Sequence, residues 1–184
     1  MTRYVALLRG INVGGRRLIK MDELVRICAG AGLRNVSTFI ASGNVIFESA
    51  SANKAALTRK IEKALALALG YEVTVILRTL SDLETLVRQN PFRGRPSGKD
   101  FMQFVVFLAD EPKNKITIPL ISTTENFDVF AVIDGAAFIL SRRKKTGWFG
   151  FPNNFVEKQF GVAGTTRNWS TVNKIIKAAE RSND

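Results

Sequence analysis

Apolar residues run without a break from Tyr4 to Leu8, the pattern of a central strand buried on both faces. Beyond a glycine-rich stretch, Met21, Leu24, Val25 and Cys28 recur at helical spacing, and Gly30 and Gly32 end that helix. Val36 to Ala41 and Val45 to Glu48 are β-rich runs, with Ser42-Gly43 between them as a tight hairpin turn. Ser51 suits the cap of a second helix, in which Leu57, Ile61, Leu65 and Ala68 form the inward stripe and Lys54, Lys60 and Lys63 point outward. Gly70 stops that helix, and Glu72 to Leu77 predicts a further strand. The order strand, helix, strand, strand, helix, strand is that of a split β-α-β, or ferredoxin-like, unit.

The second half opens on Ser81-Asp82-Leu83-Glu84, a capping-box pattern, and a short helix that ends before Pro91. Phe92 to Asp100 reads as a loop and Met102 to Leu108 as a strand. Ala109 to Thr124, with Pro112 and Pro119, reads as irregular with room for a helical turn. Phe127 to Ile133 and Ala136 to Leu140 flank Asp134-Gly135, a strong hairpin signal. Asn153 to Phe160, followed by Gly161, and Trp169 to Arg181 complete the pattern as helices. The expectation is an α+β chain of two ferredoxin-like (split β-α-β) subdomains, residues 1–80 and 81–184, with antiparallel sheets packed together.

Composition narrows the chemistry. The 184 residues include no histidine, which excludes Ser–His and Cys–His catalysis and every His-containing metal site. The single cysteine, Cys28, falls on an apolar helix stripe and is expected to be a buried structural thiol. Any catalysis would have to use carboxylates, lysine, tyrosine, hydroxyls or an added metal held by oxygen ligands, and no resident metal or cofactor is expected. No apolar run approaches the roughly 18 residues needed to span a bilayer, and the run at the N-terminus is too short for a signal peptide, so a cytoplasmic protein without membrane partners is expected. The formal net charge is +11, a field that favours nucleic acid, phosphorylated ligands or acidic proteins, or simply solubility. Residues 1–80 hold 12 Lys and Arg against 5 Asp and Glu, so much of the excess sits with the glycine-rich stretch.

Four segments combine polar side chains with turn-forming residues. Arg9-Gly10-Ile11-Asn12-Val13-Gly14-Gly15-Arg16-Arg17 follows a strand, and its glycines and arginines suit either an anion cradle or a turn needing positive φ. It fits neither the P-loop nor the dinucleotide-binding pattern. Ser42-Gly43-Asn44 reads as a hairpin turn, and antiparallel pairing of strands one and three places Asn44 beside Arg9 to Asn12. Arg142-Arg143-Lys144-Lys145-Thr146-Gly147-Trp148-Phe149 suits a phosphate chain with stacked rings, or a solvated loop. Gly164-Thr165-Thr166-Arg167-Asn168-Trp169 precedes a helix and suits either an anion at its N-terminus or ordinary capping by Thr166 or Asn168 over a buried Trp169.

These segments, with Phe151-Pro152-Asn153-Asn154-Phe155-Val156-Glu157-Lys158, occur in an order that resembles the bacterial family called domain of unknown function 1697. The resemblance implies an α+β fold of two ferredoxin-like subdomains and marks Arg9, Asn12, Gly14, Gly15, Ser42, Asn44, Asn153, Glu157, Lys158, Thr166, Arg167, Asn168 and Trp169 as motif positions. It implies no activity and no residue roles.

The leading expectation is a protein that binds a phosphorylated small molecule or nucleic acid in a basic site between the subdomains. Its ligand-binding set is Arg9, Asn12, Gly14, Gly15, Arg16, Asn44, Arg142, Arg143, Thr166, Arg167 and Asn168, with arginines on phosphates and amides orienting the ligand. An alternative is an enzyme on a phosphorylated small molecule, with Glu157 as acid/base and Lys158 or Lys145 stabilising charge. A third reading is a scaffold whose basic face meets an acidic protein.

Overall fold

The computed structural model describes residues 1–15 and 18–181. The chain folds as two compact units, one of Met1–Leu83 with Ile175–Asp184, the other of Glu84–Lys174. Among the described residues, no helix is long and apolar enough to cross a membrane.

In the first unit the elements are β1 (Thr2–Leu8), α1 (Met21–Gly30), β2 (Arg34–Thr38), β3 (Asn44–Ser49), α2 (Lys54–Leu69), β4 (Val75–Thr79) and the start of α3 (Leu80–Gln89). The four strands form an antiparallel sheet ordered β2-β3-β1-β4, the ferredoxin-like order expected from the pattern. Tyr4, Ala6, Leu8, Val45 and Phe47 on one face meet Leu24 and Cys28 of α1 and Leu57, Ile61 and Leu65 of α2 in a continuous core. Val5, Leu7, Ile46 and Ile76, of opposite parity, are also buried.

Three local readings shift. Ala68 is exposed, and Leu69, four residues beyond Leu65 on the same helix face, packs on the core in its place before Gly70 caps the helix at a φ of 74°. The cap of α2 is Asn53, whose Oδ1 accepts the Ala56 N–H at 2.9 Å, while Ser51 accepts the Asn53 N–H. The capping box of α3 lies two residues earlier than its sequence pattern. Thr79 Oγ1 accepts the Asp82 N–H at 3.0 Å, and Asp82 Oδ2 accepts the Thr79 N–H at 2.9 Å. Strand β4 accordingly runs to Thr79 and starts only at Val75, where pairing with Leu8 begins.

The second unit contains β5 (Phe101–Leu108), β6 (Leu120–Ser122), β7 (Phe127–Ile133), β8 (Ala136–Arg142), α4 (Asn153–Phe160), β9 (Gly164–Asn168) and the start of α5 (Trp169–Arg181). Its antiparallel sheet is ordered β6-β7-β8-β5-β9, so β7-β8-β5-β9 repeats the arrangement of the first sheet. The segment read as irregular contains the short edge strand β6 and no helix, so the helix that the repeat would place there is replaced by a strand. Asp134 and Gly135 both take positive φ, 47° and 69°, as a two-residue turn between Ile133 and Ala136 requires. One sheet face packs on Val156 and Phe160 of α4. On the other, Phe138 meets Phe92 and Trp169 with ring centroids 5.8 and 5.7 Å apart.

Two outcomes follow. Burial raises the Asp82 carboxyl, but hydrogen bonds from Lys54 and from Thr79 outweigh it, so its pKa lies below the usual carboxylate value. Because the folded value is depressed, its contribution is complete above the ordinary aspartate pKa of about 3.9 and is lost as pH falls through the lower folded value. The Lys54 pair is half exposed and adds little, so Asp82→Ala should cost about 1 kcal/mol at pH 7, chiefly as a lost cap. Urea unfolding at pH 7 and pH 3 should show that difference shrinking at the lower pH. Separately, burial pushes the Cys28 thiol up to about 11, so a disulfide reagent at pH 8 should modify it only after the protein is unfolded.

Candidate functional site

The opening loop and the Ser42–Asn44 turn lie in the first unit, and the structure joins them. At the end of β1 the Leu8 N–H donates to Gly43 O at 2.8 Å and the Arg9 N–H to Thr74 O at 3.0 Å. Asn12, at a φ of 54°, bridges the loop: its Oδ1 accepts the Ile19 N–H at 2.8 Å, and its Nδ2 donates to Ile19 O at 3.1 Å and Ala41 O at 2.8 Å. The Asn44 side chain is fully buried and donates to Phe39 O at 3.0 Å and Ser42 Oγ at 2.9 Å, while its backbone pairs with Leu7. A β-carbon at Gly43 would stand 3.0 Å from Leu8 Cβ, so glycine is required there by close approach as well as by its φ of 71°. Gly14 and Gly15 are exposed with open space around them, and only their positive φ calls for glycine. Arg9 is half-buried, and Arg16 lies outside the described residues.

The Gly164–Asn168 segment leads directly into α5, which begins at Trp169, but it is no loop. It is strand β9, in which Thr166 is 9% and Arg167 7% exposed. Thr166 Oγ1 donates to Asn153 Oδ1 at 2.9 Å, and Glu157 Oε1 accepts the Gly164 N–H at 2.8 Å, so two side chains of α4 clamp β9. Arg167 turns its guanidinium onto Thr165 Oγ1 and Thr166 O at 2.9 and 2.8 Å. Its burial lowers the pKa to about 10, which leaves it charged at neutral pH. Asn168 is half-buried and ends the strand opposite Phe104. Trp169 is buried, as expected. Two β-branched threonines after Gly161 are a weak local signal for β9, and the repeat of the first unit's order is the stronger one.

The basic run forms a small hairpin on the second unit. Lys144 and Trp148 are joined by an N–H···O bond of 2.8 Å, Gly147 N donates to Lys144 O at 2.8 Å, and Arg143 bridges to Phe149. Below it the buried Ser141 hydroxyl donates to Gly150 O, and a β-carbon at Gly150 would overlap Glu125 O at 2.1 Å. Arg142 pairs with Asp128 at 2.5 Å and Lys144 with Glu125 at 2.7 Å. Arg143 stands 3.6 Å from Asp100, donates to Lys99 O through Nε at 2.9 Å, and lies over the Phe149 ring. Lys99 and Lys145 are exposed and, among the described residues, have no acidic partner. The sequence pattern did not single out Lys99; the pairing of Phe101 with Arg142 brings it to the hairpin. Trp148 is 78% exposed and Phe151 58%.

A concavity of about 350 Å³ in the first unit is lined by Glu62, Lys63, Ala66, Glu72, Val73 and Thr74. Its Glu62 carboxylate accepts the Val75 N–H at 2.9 Å.

The three hydrogen bonds of Asn12 set a clear expectation. Asn12→Ala removes an acceptor from the Ile19 N–H and donors from two carbonyls, and should lower stability by about 1–3 kcal/mol. Urea denaturation should show a reduced midpoint with an unchanged slope.

No curated protein matches the sequence. A structure described as that of a conserved bacterial protein from Streptococcus pneumoniae has a similar fold, with a TM-score of 0.66, 23% identity, and coverage of 96% of this chain and 97% of that one. The model of a family described as "protein of unknown function (DUF1697)" matches residues 1–138. That match takes in the whole first sheet, with the opening loop and the Asn44 turn, and strands β5 to β7 of the second, and the chain belongs to this family.

Proposed function

We propose that the protein binds a phosphate-bearing polyanion, and that the Arg142–Gly150 hairpin of the second unit meets it. One observation supports this above the others. Five cations, Lys99 and Arg142 to Lys145, gather at one rigid turn with three carboxylates, Asp100, Glu125 and Asp128. Each carboxylate already faces an arginine or lysine, so Lys99 and Lys145 present uncompensated charge to solvent. Arg142 and Arg143 act here as the base of the hairpin and add to its field. The remaining members of the expected ligand set contribute less to such a site: the amides of Asn12 and Asn44 and the polar atoms of Thr166 and Arg167 are engaged within their own units.

Phosphate contacts release counterions, so affinity should fall linearly with the logarithm of salt concentration. Fluorescence anisotropy with a labelled oligonucleotide between 50 and 200 mM salt is the measurement. Replacing both Lys99 and Lys145 by alanine should weaken binding and reduce the slope by about 1.4 on a single strand. Binding that is indifferent to salt would overturn the proposal.

A further inference from the structure

We infer that the hairpin is a stacking platform for the unpaired bases of a single-stranded nucleic acid, with Trp148 as the ring that receives a base. The inference rests on the polyanion reading and specifies its ligand. An indole is among the largest apolar surfaces a protein can bury, and it normally lies inward with its N–H satisfied. Here it does the opposite: Trp148 is 78% exposed, and its ring makes no aromatic or cation contact among the described residues. Its twin, Trp169, is buried against Phe92 and Phe138.

The exposure is not that of a loose loop. The Trp148 carbonyl accepts the Lys144 N–H, Gly147 closes the turn at a φ of 87°, and Arg143 holds the turn to Lys99 O. The residue after Trp148 turns inward: Phe149 packs on the core under the Arg143 guanidinium, 5.2 Å from its ring centre. With Phe149 turned onto the core, Trp148 faces solvent, and because the turn's backbone is already hydrogen-bonded, little order is lost when a base stacks on the ring.

Lys145 lies three residues away on the same turn and Lys99 at its foot, both free to meet the phosphates on either side of a stacked base. Phe151, three residues beyond Trp148, is a second exposed ring, at 58%, and stands edge-on to Phe104. A base offers its face to such a ring only when it is outside a duplex, whereas a bare polyanion or a duplex would use the lysines and leave the indole idle. Charge and ring together therefore favour a single strand over other polyanions.

The test uses the full chain, wild type and the variants Trp148→Ala and Trp148→Phe, with three probes: a labelled oligothymidine, a duplex of the same length and inorganic polyphosphate. Because Trp148 is exposed, neither substitution should disturb folding. Trp148→Ala should weaken oligothymidine binding by about fivefold or more and leave polyphosphate binding within about twofold, while Trp148→Phe retains most of the affinity. Oligothymidine should quench the red-shifted tryptophan emission of the wild type and not that of Trp148→Ala, whose remaining indole is buried. Equal binding of oligothymidine by wild type and Trp148→Ala, or tighter binding of the duplex than of the single strand, overturns the stacking inference while salt-dependent polyphosphate binding leaves the polyanion reading standing. Absence of binding to all three probes overturns both.

Discussion

A strand that ends inside a packed core leaves backbone N–H and C=O groups where water cannot reach them, and the arrangement of both units depends on how those groups are paired. In the first unit the work falls to asparagine side chains. Asn12 satisfies both backbone groups of Ile19 and ties the loop to Ala41, and Asn44 closes its own hairpin through Phe39 O. In the second unit Glu157 takes the Gly164 N–H, and Asn153 takes the Thr166 hydroxyl. A fully buried group left unsatisfied would cost about 1–3 kcal/mol, a large share of the 5–15 kcal/mol that separates a folded domain from its unfolded chain, and the part-exposed ones cost less. Most of the polar motif residues are thereby accounted for as structure, with no ligand invoked.

This changes where charge is available. A run of four cations looks on paper like an unbroken basic patch. Folded, it brings Asp100, Glu125 and Asp128 with it, and three of the four cations face carboxylates. Such pairs are exposed on at least one side and contribute little to stability. The hairpin itself is closed by backbone bonds between Lys144 and Trp148 and between Arg143 and Phe149, with Phe149 on the core and Trp148 exposed. The field that reaches solvent then comes from Lys145 and from Lys99, a residue 46 positions earlier in the chain.

Much of the fold was legible in the sequence because its signals are local. The Asp134-Gly135 turn announces itself, since few residue pairs tolerate positive φ at both positions. Helices α4 and α5 have the ranges their periodicity predicted, with Gly161 in the left-handed conformation ending the first. The local capping choices were less legible. Ser51 and Asn53 are both good caps, as are Thr79 and Ser81, and only the point where each preceding strand stops pairing selects between them. Strands β6 and β9 were missed for a related reason. Three and five residues long, they have too little pattern of their own and exist because β7 and β5 offer them an edge to pair with.

The sequence by itself determined the element order and ferredoxin-like plan of the first unit, the absence of histidine, the buried thiol and the excess of positive charge. Those properties are counts or short-range patterns, and each is carried by neighbouring residues. Only the tertiary structure decided what the polar motif residues do, because an amide or a guanidinium has the same formula whether it faces a ligand or a strand end. Asn12, Asn44 and Thr166 found backbone or side-chain partners within reach, and Arg167 was enclosed in a strand. Lys99, Lys145 and Trp148 were turned to solvent by the pairings beneath them, a distinction set by contacts between residues far apart in the chain.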